Sequence, residues 1–296
     1  MSRIVSVWLP DWPIARLLRA QACSAPADLQ SNPGRPLVLA APGKGGVRLV
    51  TLNQAARQNG LVAGDLLSNA RAKVLDLQVH EADPAADAAA LARLALWAVR
   101  YAPLAAPWDA ASGADGLFID MTGAAHLLGG EAPLLADLSR RLGAFGLAPR
   151  LAIAGTPGAA WALARFGARL GNARDETPGG TPGPSGAEAE ALRPLPLAAL
   201  RLPEATLSLL RRLGLRRIAD VINQPRAPLA VRFEALLLRL DQALGRVPEP
   251  LVPAVPPPVY RAQAAFTEPI ASHEHVLEAA TRLLGRLVDD LASDAV

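Results

Sequence analysis

The sequence predicts an α/β domain, interrupted near its start by an inserted lobe and followed by an all-helical module. Three observations lead there. Short apolar runs rich in Val, Ile, Phe and Trp, bounded by Gly or Pro, occur at 3–10, 116–120 and 147–154, as strands of a buried sheet do. Stretches with helical character alternate with them at 83–101, 130–143 and 158–166. From 192 to 244 only helical patterns remain, in short pieces joined at Gly214 and Pro225. At 296 residues, 51% hydrophobic and 19% charged, the chain is long enough for two or three globular domains.

Taken in order, RIVSVWLP (3–10) is the first strand, and Asp11 is placed to cap a helix reaching Gln21, with Pro13 tolerated in its first turn. In the inserted lobe a strand at 35–41 turns at a hairpin tip, 42–46, and returns through 47–51. A helix at 53–59 stops at Gly60, a short helix runs through Ala72, and LDLQV (75–79) alternates as an edge strand. The alanine-rich helix 83–101 places Leu91, Leu94, Leu96 and Val99 on one buried face. Gly and Pro crowd 167–190, which reads as a linker without regular hydrogen bonding. The proline-rich 247–258 is extended, and a new unit opens with a strand through Phe266 and a helix from His273 to Leu291. Residues 259–296 are too few for a stable domain of their own, so the chain reads as cut short.

Charge narrows the function classes. The net charge is only +3, and Lys44 and Lys73 are the sole lysines, so the basic side chains are almost all arginine. Between Arg193 and Arg246 there are ten arginines against Glu204, Asp220, Glu234 and Asp241, which suits a surface facing a polyanion. No run reaches the roughly 18 apolar residues of a membrane span, and the start lacks a basic-then-apolar leader, which points to the cytoplasm. The single Cys23 can form no internal disulfide, and His273 and His275 lack a third ligand.

If the first strand pairs with GADGLFIDMTG (113–123), Trp8 faces Asp115 and Gly116 across the place where some enzymes gather carboxylates around two metal ions. Only one carboxylate stands there. Holding two cations ~4 Å apart needs about three such ligands. Asp115 reads either as a remnant ligand for a single Mg²⁺ or as a turn-capping residue, and Asp120 as a strand terminator bonding Thr122 or Gly123. Trp8 and Trp12 either offer a stacking platform or fill vacated volume.

This order of parts resembles the Y-family (translesion) DNA polymerases. The frame VWLPDWP (7–13) puts Trp8 at the family's metal-ligand position, and Gly116 stands where its glutamate is called for. TLNQAAR (51–57) followed by GLVAG (60–64) is similar to the fingers pattern, with Arg57 on the arginine that contacts triphosphate and Gln54 replacing a tyrosine. A further triphosphate-binding lysine falls on Pro157, and the glycines of the thumb's hairpin turn are replaced by Arg201-Leu202-Pro203. The pattern of loss is most similar to the ImuB branch, non-catalytic relatives from bacterial mutagenesis cassettes.

The resemblance implies a palm at 1–10 and 79–167, fingers at 11–78, a flexible linker at 168–190, a helical thumb at 191–246, a tether at 247–258 and a truncated little finger. It implies a DNA-binding scaffold in damage-induced, SOS-linked, error-prone synthesis, nucleoid-associated, with no catalytic residues and no cofactor, Mg²⁺ at Asp115 being the doubtful exception. DNA would be met by Arg201, Arg211, Arg212, Arg216 and Arg217. Partners implied are primer-template DNA, the sliding clamp, a RecA-like ImuA-type accessory protein and an error-prone C-family polymerase. The alternatives are an active translesion polymerase, with Asp11 replacing the lost ligand, or a simple DNA-binding module.

Overall fold

The computed structural model describes residues 2–24, 32, 34–108, 113–167, 181–182, 186–256, 261–267, 269 and 272–294. It divides into one unit over Met1–Ala254 and another over Val255–Val296.

In the first unit the chain runs β1 (Ile4–Trp8), α1 (Trp12–Ser24), β2 (Leu37–Gly43), β3 (Gly46–Leu52), α2 (Gln54–Gln58), α3 (Leu67–Lys73), β4 (Gln78–Glu81) and α4 (Pro84–Ala98). It continues through β5 (Ala105–Pro107), β6 (Gly116–Asp120), α5 (Glu131–Ala144), β7 (Arg150–Ala154), α6 (Pro157–Phe166) and β8 (Thr181–Pro182). Five helices close it: α7 (Glu188–Leu192), α8 (Glu204–Arg212), α9 (Ala219–Ile222), α10 (Arg226–Arg232) and α11 (Glu234–Ala243).

The main sheet has the order β5-β6-β1-β7-β8, so the first strand is its centre. Both neighbours of β1 are antiparallel, with Trp8 opposite Gly116 on one side and Arg150 on the other. Alternation along β1 divides the core. Val5, Val7 and Leu9 pack with Leu91 and Leu94 of α4 and Leu134 and Leu138 of α5, whereas Ile4 and Trp8 face α6 and the C-terminal helices. Helix α6 is buried along most of its length because its alanines and Gly158 let neighbours come close. A Cβ on Gly158 would lie 3.0 Å from the Ala243 Cα, so sheet, α6 and α11 form one packed stack.

The inserted lobe is a second sheet, β3-β2-β4, over its own small core. Its hairpin turns tightly at Lys44 and Gly45, with Gly45 at φ 82° and Gly46 at φ 126°, conformations a side chain would strain. Asn53 ties the lobe together: its Oδ1 accepts from the Leu37 and Ala56 amides, and its Nδ2 donates to the Arg35 carbonyl.

Three expectations change. The edge strand lies at Gln78–Glu81, three residues later than predicted at its start, and pairs parallel with β2. Within the supposed linker, Thr181 and Pro182 pair with β7, and α7 already begins at Glu188, whose Oε1 accepts from the Gly155 amide. In the second unit α12 (His273–Asp294) matches the predicted helix, but 261–266 form no strand, since a strand needs a paired edge to satisfy its backbone. Residues 168–180 of that linker lie outside the described residues.

Candidate functional site

The C-terminal end of β1 delivers Trp8 beside the loop that enters β6. The Leu9 amide donates to the Asp115 carbonyl at 2.8 Å, extending the ladder by one rung. The Trp8 Nε1–H then donates to Asp115 Oδ2 at 2.9 Å. From the last turn of α6, Arg165 lays its guanidinium against the same carboxylate, with N···O distances of 3.2 Å to each oxygen. The cation sits in an aromatic box, its Cζ 4.8 Å from the Trp8 ring centroid, 5.0 Å from Trp161 and 5.7 Å from Trp108. Arg150 also stacks over Trp8, at 5.3 Å.

Burial pushes the Asp115 carboxyl above its ordinary value, with Arg165 and the indole N–H pulling the other way. Burial likewise pulls Arg165 down, against the pull of Asp115. Both shifts have desolvation as their largest cause, so this is a costly pair held by geometry rather than a surface contact. Both carboxylate oxygens are engaged. Among the described residues no group of three His, Cys, Asp or Glu side chains could hold a metal ion. The donor set therefore does not fit paired divalent cations, and a single Mg²⁺ at Asp115 would have to displace an arginine.

Gly116 has its own reason to lack a side chain. A Cβ there would meet the Trp108 ring and the Val7 carbonyl oxygen, each at 2.5 Å. The volume next to Asp115 is occupied by indole, and a glutamate has no room.

The other predicted residues scatter. Arg57 pairs with Asp11 at 2.7 Å, both about half exposed, linking the inserted lobe to the start of α1. Asp11 therefore faces Arg57 and does not stand in for a ligand beside Trp8. Trp12 is buried, donating through Nε1 to the Asp87 carbonyl, which removes it as a stacking platform. Pro157 follows β7, whose Ala154 lies opposite Ile4, so it sits at the end of the sheet away from Trp8. It cannot stand for a side chain reaching the Trp8 end, which Arg165 occupies. Asp120 Oδ1 accepts from the Thr122 amide, as expected of a strand terminator.

Arg201 requires a correction. It keeps the left-handed backbone of a hairpin glycine, φ 56°, but its side chain is only 2% exposed and pairs through two bonds with Glu249. A side chain so buried and paired offers no donor to a phosphate in solvent. Arg211 pairs with Glu204 on the surface, and Arg212, Arg216 and Arg217 are exposed. The amides of Arg216 and Arg217 both donate to Asp220 Oδ2, which leaves their guanidinium groups as the outward-facing donors.

Sequence reasoning did not find Arg165, Trp108, Trp161 or Glu249. A signal existed for one: Arg165 follows Trp161 by four residues, one helical turn, and is the only charged residue of α6.

With this geometry established, comparison with known proteins is informative. Residues 21–165 match the model of the IMS family, impB/mucB/samB. Over 236 residues the chain is 44% identical to the protein named ImuB in two strains of Caulobacter vibrioides, covering 79% of this chain and 48% of each relative. Residues 21–165 thus carry the impB/mucB/samB family segment, within a chain similar to ImuB over most of its length. It spans about half the length of the curated relatives it matches. Among solved structures, the DinB of Sulfolobus solfataricus is similar with a TM-score of 0.59 at 16% identity, covering 84% of this chain and 69% of that one. An insertion ternary complex of Dbh DNA polymerase gives 0.61 at 16% identity and the same coverage. At that identity the likeness establishes the fold, which is that of Y-family polymerases.

Proposed function

We propose that this chain is a non-catalytic member of its family, a DNA-binding scaffold in SOS-linked, error-prone translesion synthesis. The reading rests on one observation: the position where a polymerase needs clustered carboxylates holds a single aspartate already bound by Arg165 and Trp8. A guanidinium supplies one fixed positive charge, but it cannot activate a primer hydroxyl or bridge a leaving pyrophosphate as two coordinated cations do. DNA is the partner that the exposed Arg212, Arg216 and Arg217 support, by phosphate contact without base readout. The clamp, the RecA-like accessory protein and the C-family polymerase are proposed partners of the whole protein. No helix among the described residues is long and apolar enough to cross a membrane.

Primer extension tests the reading, first with Mg²⁺ and then with Mn²⁺. The unaltered chain is expected to bind primer-template and add no nucleotide. Extension that is abolished by Asp115→Asn would replace the scaffold with an active polymerase of unusual ligand set. A Trp8→Asp, Gly116→Glu variant is expected to stay inactive, because Trp108 blocks the new glutamate.

A further inference from the structure

The palm carries a second basic and aromatic surface, on the face of the main sheet opposite α6 and the thumb. Helices α1 and α4 border a cavity of about 390 Å³ there, with Trp12 and Leu94 as its floor and Trp97 and Phe145 among its walls. The charge around it is one-sided. Arg16 is matched by Asp87, whereas among the described residues no carboxylate pairs with Arg19, Arg93 or Arg100. On the adjacent α5, Asp137 is already held by Arg140, Arg141 and the Tyr101 hydroxyl, so it offsets none of this charge.

The aromatic rings are not open platforms. The Arg100 Cζ lies 4.6 Å over the Trp97 ring and the Arg19 Cζ 5.5 Å over Phe145, while Trp97 meets Phe145 edge-on at 5.1 Å. The Arg100 Nε donates to the Trp97 carbonyl at 2.9 Å, which fixes that guanidinium over the ring and leaves its two terminal nitrogens as the pair that can grip a carboxylate bidentately. Nucleobases would find these ring faces covered. Between the cations lies an apolar recess large enough for one bulky side chain.

We infer that this groove docks an acidic, amphipathic segment of a partner protein, one aliphatic or aromatic side chain filling the recess while flanking carboxylates meet Arg19, Arg93 and Arg100. The inference does not depend on whether the palm is catalytic. It adds a protein-binding face to a molecule whose thumb faces DNA, so both partners can be held together.

The test uses the whole chain and two fluorescent probes: a sixteen-residue peptide alternating Glu-Glu with Leu-Phe, and a sixteen-nucleotide oligothymidylate. Charge reversal by Arg19→Glu with Arg93→Glu is expected to weaken the peptide by about tenfold or more and leave the oligonucleotide unchanged. Reversal by Arg216→Glu with Arg217→Glu should do the opposite. The milder Arg93→Gln, Arg100→Gln pair, checked for an unchanged thermal melt, guards against a folding defect and should weaken the peptide in the same direction. Three outcomes overturn the proposal: no peptide binding to the unaltered chain, peptide binding indifferent to both groove variants, or groove variants that weaken the oligonucleotide instead. The last would make the groove a nucleic-acid surface.

Discussion

Arg165 and Asp115 are each only about a quarter to a fifth exposed, and removing one partner strands the other. Arg165→Met is expected to cost about 2–4 kcal/mol, less than a fully buried pair because some water reaches it. Adding Asp115→Leu should recover most of that loss, since an apolar pair carries no desolvation penalty. Urea titration of both variants reads the difference. The pair also has a pH signature. Burial holds the Asp115 carboxyl above the ordinary 3.8, so the folded chain takes up this proton before the unfolded chain as pH falls. Its contribution to stability is therefore complete below 3.8 and declines as pH rises through the folded value. Measured between pH 4 and 7, the stability difference should move towards Asp115→Asn as pH rises, and the reverse trend would contradict the assignment of burial as the main cause. Gly116→Ala tests the packing, and overlap with Trp108 and the Val7 carbonyl should cost about 1–3 kcal/mol.

At the scale of elements, the turn before α8 sends its side chain inward. Arg201, left-handed between Leu200 and α8, clamps Glu249 with its buried side chain, and Arg239 also reaches that carboxylate at 3.3 Å. Arg201→Ala should therefore cost about 3–5 kcal/mol of stability, leaving Glu249 buried without its main partner. DNA affinity measured against salt should keep its slope in that variant. By contrast Arg216→Ala or Arg217→Ala should each lower the slope by about 1 and leave the melt unchanged. Helix α6 shows the same economy of position. Its small residues permit contact with both the sheet and α11, and its end carries the arginine that closes the site.

At the scale of the molecule, the two larger cores of the first unit draw, among the described residues, on side chains from Ile4 to Leu251. What the sequence by itself determined was the order of strands and helices in the first unit, the inserted lobe, and the meeting of Trp8 with Gly116 beside Asp115. Those follow from local periodicity, turn residues and the residue types present. Only the tertiary structure decided that Arg165 fills the site, that Trp108 excludes a glutamate at 116, that Arg201 turns inward and that Pro157 lies at the wrong end of the sheet. Each depends on side chains from distant segments converging in three dimensions, where one guanidinium's neighbours decide whether it meets water, a phosphate or a buried carboxylate.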